Sequence, residues 1–334
     1  DAAPIPLLLL PVVRELGLLR RRKIRLALVS DDVQYARAKS VAAARGDAPD
    51  YWKNVREAER VLYGHPDVEV VLSISEDDSR AFEEVRASPP SDVSVDFVGH
   101  ELLKKETLSA AKPPIRVLPF RARIDPQTAR KGWDAHAQTW AARKDLVFVG
   151  GGTYSNRKVV RWLLREALPA ISSLSDADGG CDELRNANLM LAGTVVWAEE
   201  ARAACKDARS KSDAEQIQRV CSAENVGRGR PPHTSARIWA PGRLNNVGNV
   251  LRRSRVFAAP ADVPSGISTK VWLALEHGLP IATTIDGSRG LPAQARENAL
   301  HGRSPFLGPV SLEQDATHFA KAVSTTYCNA SRWR

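Results

Sequence analysis

The chain has 334 residues, of which 43% are hydrophobic and 26% charged, a composition that excludes a disordered or fibrous protein. At this length, two domains are the starting expectation. The 48 Lys and Arg outnumber the 39 Asp and Glu, but the basic clusters are short, lie far apart and accompany no recognition module. We therefore expect no nucleic acid partner.

The most apolar segment, residues 5–19, is interrupted by two prolines and two charged residues, and it is shorter than the ~20 apolar residues that a membrane span needs. We predict that it is not a transmembrane helix, and Pro11 suits the first turn of an ordinary helix that ends at Arg22. Because Asp1 is not a natural start, membrane association through a segment outside this sequence stays open.

Residues 1–120 alternate between helix and strand patterns, which predicts a parallel sheet. An acidic run after Ser75 suits the start of a helix. The predicted strands are residues 24–29, 68–74 and 115–118, and the helix-prone segment between the first two is residues 35–63.

Residues 121–144 carry no strand pattern and are predicted to connect two domains. The second domain is predicted to occupy residues 145–334, with a helical insertion at about 198–232. Its predicted strands are residues 146–149, 189–192, 238–240, 256–258 and 281–284, and the first strand leads through the glycine turn 150–152 into a helix over 156–168. Such alternation is typical of doubly wound sheets, which bind ligands beyond the carboxyl ends of their strands.

Residues 255–284 give the strongest functional signal, because they predict a strand, a loop, a helix and a second strand. Gly266 lets backbone approach a ligand, and Ser268 or Thr269 can cap the helix so that its first amides point at the same place. Lys270 adds a positive charge in the first helical turn. The arrangement predicts an anion site.

The same segment resembles the group 1 glycosyltransferases, also called family 4, in three motifs. These are Ala259-Pro260 at a strand end, Gly266 to Lys270 at a helix start, and Gly278 to Pro280 at the next strand entry. Further stretches are similar in the right order, namely Leu146–Gly150 with Asn156, Leu191–Gly193 and Pro241–Val247.

The resemblance implies a GT-B fold, in which two Rossmann-like doubly wound parallel-sheet domains face each other across a cleft. It implies that the acceptor-side domain, residues 1–120, is incomplete and that the sequence also stops before the closing helix. The implied function is transfer of a sugar from a nucleotide-diphosphate donor, such as a UDP or GDP sugar, with retention at the anomeric carbon and with neither a metal nor a cofactor. The acceptor, whether glycan, lipid or protein, is not specified by these residues.

The resemblance also assigns site residues. The expected donor-binding residues are Gly151, Gly152, Asn156, Gly193, Ser265, Gly266, Ile267 and Lys270. The candidates for a catalytic role, through stabilisation of leaving-group charge or a contact to the ribose, are Lys270, Arg157 and Glu276.

Three positions depart from the family pattern. The paired glutamates of the family fall on Ser265 and Leu273, and its histidine falls on Gln34. These departures favour a GT-B protein with a disabled site that acts as a binding or scaffold module. An epimerase-like enzyme of the same architecture is a second hypothesis beside the transferase, and a polyanion-binding module is a third.

Cys181, Cys205, Cys221 and Cys328 form no CxxC pair and predict no zinc site. In a Golgi or other secretory lumen Cys205 and Cys221 could pair, whereas in the cytoplasm all four would be thiols. Asp176-Ala-Asp178 has the spacing of a metal clamp but lies in a Ser/Gly-rich stretch, so we interpret it as a solvated loop.

Overall fold

The computed structural model describes residues 26–30, 33–45, 50–65, 68–89, 113–118, 140–194, 196–209, 238–261, 267–300 and 316–329. The chain divides into two compact units, residues 1–120 with 263–267 and residues 121–262 with 268–334, and each contains one parallel sheet. Several predictions lie wholly or partly outside the described residues. They include the helix from Pro11 to Arg22, the connection up to residue 139, and the insertion beyond residue 209.

The first unit has three parallel strands in the order β1-β2-β3, as predicted from the alternating pattern. The strands are β1 Leu26–Ser30, β2 Val68–Ser73 and β3 Ile115–Val117. Helices α1 Gln34–Arg45 and α2 Asp50–Tyr63 connect the first two strands, and α3 Glu76–Ala87 follows β2. The helices and strands share a core that includes Val71 and Phe82, both fully buried.

Polar side chains fix where two of these helices begin. The buried Glu59 carboxylate of α2 accepts hydrogen bonds from the amides of Gln34 at 2.8 Å and Tyr35 at 3.0 Å. Helix α3 begins after Ser75 as predicted, and the Ser75 hydroxyl caps it by accepting a hydrogen bond from the Asp78 amide at 3.0 Å. The backbone of Gln34 is thus part of a helix start that a carboxylate holds in place.

The second unit has five parallel strands in the order β6-β5-β4-β7-β8. The strands are β4 Asp145–Val149, β5 Leu189–Ala192, β6 Ile238–Gly242, β7 Ser254–Ala259 and β8 Ile281–Thr283. The helices are α4 Tyr154–Trp162, α5 Leu168–Ser173, α6 Asp182–Arg185, α7 Val196–Arg209, α8 Gly248–Arg253, α9 Thr269–Glu276, α10 Ala293–Leu300 and α11 Ala316–Tyr327. This strand order, with the chain first moving outward from β4 on one side and then on the other, is the Rossmann order.

Helices cover both faces of this sheet. Successive residues of a strand pack into two different hydrophobic cores, one on each face. On β4, Leu146 and Phe148 pack beneath α4, α5, α7 and α11, whereas Val147 packs beneath α8 and α9. Alternating burial of this kind requires helices on both faces. The predicted doubly wound sheet is therefore confirmed in this unit.

The first helix of the unit runs further than the predicted end at Leu168. It passes from α4 through a π-helical turn, Leu163–Ala167, into α5, where Pro169 occupies the second position. Proline lacks the amide that an uninterrupted α-helix would use, and a π-turn is one way for the chain to continue past it.

None of the helices within the described ranges has both the length and the apolar character needed to cross a bilayer.

Candidate functional site

The chain order changes direction at the carboxyl ends of β4 and β7, which are neighbours in the sheet. One connection leaves β4 towards β5, and the other leaves β7 towards β8 on the opposite side. A crevice for ligands forms at such a switch point in open α/β sheets. The residues that follow β4 and β7 are therefore the first place to look for a site.

After β4 the chain turns sharply through Gly150, Gly151 and Gly152 into α4. The Thr153 hydroxyl accepts a hydrogen bond from the Asn156 amide at 3.4 Å and so caps the helix. A Cβ atom added at Gly151 would have no neighbouring heavy atom within 4 Å, which means that the turn borders open space. The backbone there is accessible to a ligand.

After β7 the chain reaches α9, whose first turn carries Lys270. Its ammonium nitrogen lies 5.9 Å from the centroid of the Phe148 ring on β4, which places the charge at the switch point. Burial lowers the pKa of Lys270 below its ordinary value. Within the described ranges no carboxylate pairs with this ammonium group, so a half-buried positive charge stands beside the glycine turn.

Gly193, directly after β5, is packed against the same turn. It has φ of +116°, and a Cβ atom added there would lie 2.4 Å from the Gly150 carbonyl oxygen. Its amide donates to the Gly242 carbonyl at 3.0 Å. The turns after the two strands can therefore approach this closely only when residue 193 is glycine.

Gly193→Ala is expected to lower the free energy of unfolding by about 2–3 kcal/mol, because the methyl group meets rigid backbone and the φ angle disfavours a side chain. Urea denaturation measures this change. Gly151→Ala is the matched control, with an expected change below about 1 kcal/mol since its Cβ has open space. Equal stabilities of the two variants would contradict the close contact.

Three side chains donate to the carbonyls of the glycine turn. Trp197 Nε1, Asn156 Nδ2 and Arg157 Nε lie 3.1, 2.8 and 3.2 Å from the carbonyl oxygens of Gly150, Gly151 and Gly152, respectively. Of these donors, Asn156 and Arg157 were predicted to be at the site. Trp197 was not, because a tryptophan inside a helix pattern is most simply a core residue and its neighbours are set by tertiary packing.

The other predicted site residues lie between β7 and the end of α9. Ser265 and Gly266 lie outside the described residues, and Ile267, just before α9, is half-buried. Glu276 is exposed in the last turn of α9, at the opposite end of the helix from Lys270, and the suggested ribose contact stays a prediction.

One capping prediction and one loop prediction can also be compared with the structure. Ser268 occupies the N-cap position of α9, but its side chain makes no capping hydrogen bond, so that part of the prediction is wrong. Asp176 and Asp178 lie in an exposed turn, where the Ser175 hydroxyl donates to Asp178 and the Arg185 guanidinium donates to Asp176. No cluster of three metal-ligating side chains occurs among the residues that the structure describes.

No protein-family model matches the chain, and no curated protein matches it in sequence. Among solved structures, it is similar to trehalose-6-phosphate synthase OtsA and to the trehalose-6-phosphate synthase of Burkholderia multivorans, in both cases with 12% identity and a TM-score of 0.52. These alignments cover 98% of this chain and 69% and 68% of those chains. Anabaena HepE in complex with UDP and glucose aligns with 12% identity and a TM-score of 0.49, over 93% of this chain and 66% of that chain.

At this level of identity the similarity to the two synthases shows the fold alone. Together with two parallel-sheet α/β units, one of them in Rossmann order, it confirms the predicted GT-B fold class. Enzymatic activity and ligands do not follow from a shared fold.

Proposed function

We propose that this chain is a glycosyltransferase that binds a nucleotide-diphosphate sugar at the carboxyl edge of the second unit and transfers the sugar to an acceptor. The observation that carries the proposal is the Lys270 ammonium group, half-buried beside the glycine turn without a carboxylate partner in the described part of the chain. Burying a charge without a counter-charge costs stability, and such a cost is expected where a ligand supplies the opposite charge.

The charge of a diphosphate complements the backbone amides of the glycine turn and the ammonium group of Lys270. At Gly151 the turn presents backbone to open space close to the start of α4, whose dipole favours an anion. Lys270 adds a full positive charge from α9. Transfer of the sugar leaves a nucleoside diphosphate with increased negative charge, and amides and an ammonium group stabilise that charge.

The finer parts of the proposal rest on the resemblance to group 1 glycosyltransferases in the motifs 259–260, 266–270 and 278–280. They are membership of that group, retention at the anomeric carbon, and catalysis without a metal or cofactor. Whether the donor carries UDP or GDP is decided by the binding experiment.

Isothermal titration with UDP, GDP, UMP and GMP tests the proposal. We expect one nucleoside diphosphate to bind at least about tenfold more tightly than its monophosphate, because only the diphosphate spans the turn and Lys270. Equal affinity for the diphosphate and the monophosphate, or no binding of either diphosphate, would contradict the proposal. Release of the nucleoside diphosphate from a panel of UDP and GDP sugars then tests turnover.

A second candidate, a donor-binding scaffold without turnover, is favoured by Leu273. This side chain lies one helical turn beyond Lys270 and packs against the hydrophobic core, where the resemblance expects a carboxylate for the donor ribose. Diphosphate binding without release of nucleotide from any donor in the panel would favour this candidate over the enzyme.

A further inference from the structure

The three consecutive carbonyl groups of the glycine turn are each held by a different side chain. The Gly150 carbonyl accepts from Trp197 Nε1 at 3.1 Å, and the Gly151 carbonyl accepts from Asn156 Nδ2 at 2.8 Å. The Gly152 carbonyl accepts from Arg157 Nε at 3.2 Å. No regular secondary structure orients these peptide groups, so the side chains fix their direction.

A side chain that fixes the direction of a backbone carbonyl also fixes the direction of the next residue's N–H group, because both belong to one planar peptide group. The described residues contain no cis peptide bond, and in a trans peptide the C=O and N–H groups point in opposite directions. The three side chains therefore turn the N–H groups of Gly151, Gly152 and Thr153 away from themselves. In the described part of the chain none of these three amides donates a hydrogen bond to a protein group.

From this geometry we infer that Trp197 and Asn156 are positioning residues, which aim the amides of the glycine turn at the diphosphate of the donor. The inference rests on the proposed function, since it names the residues that shape the same site. Arg157, a sequence-level candidate for direct contact with the leaving group, has the same positioning role through its bond to the Gly152 carbonyl.

Trp197 is the strongest of the three because its position is the most constrained. Its side chain is fully buried on α7, and its ring packs edge-on against Phe148 with 5.9 Å between ring centroids. Its indole N–H is shared between the Gly150 carbonyl at 3.1 Å and the Ala192 carbonyl at 3.2 Å. One group thus links the chain after β4 to the end of β5.

Loss of the indole N–H affects the two carbonyls differently. The Ala192 carbonyl keeps a second donor, the Gly150 amide at 3.0 Å. The Gly150 carbonyl has no other donor within the described residues. Its peptide group, which carries the Gly151 amide, would be free to rotate in a turn of three glycines.

The test uses Trp197→Phe, which keeps an aromatic ring next to Phe148 and removes the indole N–H together with the second ring of the indole. We expect the nucleoside diphosphate that binds the wild type, UDP or GDP, to bind about fivefold more weakly in isothermal titration, the equivalent of one lost hydrogen bond. The affinity for the parent nucleoside, uridine or guanosine, measured by saturation-transfer NMR, should not change. A merely structural defect would weaken both ligands together.

Two further variants complete the test, one as a control for changes in the core and one as a second removal of a donor. Trp162→Phe is the matched control, because Trp162 packs edge-on against Phe319 in the same core and donates to no carbonyl of the turn, and its diphosphate affinity should equal that of the wild type. Asn156→Leu removes the second donor at similar size, and it carries the test alone if Trp197→Phe does not fold. We expect the same selective loss of diphosphate affinity.

The outcomes separate this inference from the proposed function. A wild-type protein that binds neither UDP nor GDP overturns both. A wild type that binds a diphosphate, with unchanged affinity in Trp197→Phe and Asn156→Leu, overturns the positioning role and leaves the proposed function standing.

Discussion

Lys270→Met is expected to weaken binding of the nucleoside diphosphate by at least about 100-fold and, at the same time, to raise the melting temperature of the ligand-free protein. The loss of affinity follows because the diphosphate would lose its charged partner in a half-buried site. The gain in stability follows because methionine fills similar space without a buried charge. A residue that contributed only to the fold would not produce these opposite effects.

The gain in stability should depend on pH. Burial lowers the pKa of Lys270 in the folded protein, so the folded state holds this proton less tightly than the unfolded state does. The cost of the charge is therefore fully present below the lowered pKa and disappears as the pH rises through it towards the ordinary value. The melting temperatures of wild type and Lys270→Met should accordingly converge at alkaline pH.

Two other variants test whether the loss of diphosphate affinity depends on the charge at position 270. Lys321→Met removes an exposed lysine on α11 and should leave diphosphate affinity unchanged. Lys270→Arg keeps the charge but changes its geometry, so it should bind better than Lys270→Met and less well than the wild type. An unchanged dissociation constant in Lys270→Met would place the diphosphate elsewhere, and the proposed function would then lack its main support.

Sequence reasoning located the strands of the second unit well because their patterns are local. The predicted strand 189–192 has the observed bounds, and Leu146–Val149 is one residue short of β4. Long apolar runs between turn residues are typical of strands that are buried on both faces. The position of Lys270 in the first turn of a helix was predicted by the same kind of local signal.

The features that sequence reasoning missed depend on contacts between distant residues. The indole N–H of Trp197 reaches Gly150, 47 positions away, only because α7 packs over β4. The close approach of Gly193 to Gly150 likewise requires two adjacent parallel strands to end side by side. A single sequence does not indicate which carbonyl will accept a hydrogen bond from a buried indole. A glycine directly after a strand does, however, suggest that another backbone segment approaches closely there.

Pairing of Cys181 with Cys328 was not predicted, since the sequence suggested only a pairing of Cys205 with Cys221. The observed disulfide joins residues 147 positions apart, with 6.0 Å between their Cα atoms. The side chain of Cys205 and all of Cys221 lie outside the described residues. Disulfides persist in oxidising compartments, so the observed pair favours the secretory lumen over the cytoplasm among the two locations left open by the sequence.

The disulfide fastens the last described helix to the second unit. Cys181 precedes α6 and Cys328 follows α11, whose inner face, including Phe319 and Val323, is buried in the core. The same helix end is held by hydrogen bonds from Ser324 to the Gly179 carbonyl and from Tyr327 to the Lys144 carbonyl. The covalent bond therefore reinforces a docking that packing already favours, and its main effect is expected on the unfolded chain.

Replacing both cysteines, Cys181→Ser with Cys328→Ser, is expected to lower the free energy of unfolding by about 3–5 kcal/mol, because the cross-link closes a long loop in the unfolded state. Urea denaturation measures the loss, and reduction of the wild type should reproduce it. Reductant added to the double variant is the control: no further loss means that this is the only stabilising disulfide, whereas a further loss indicates a second one, such as Cys205 with Cys221. Four titratable thiols in the unfolded, unreduced wild type would show that the cross-link does not form.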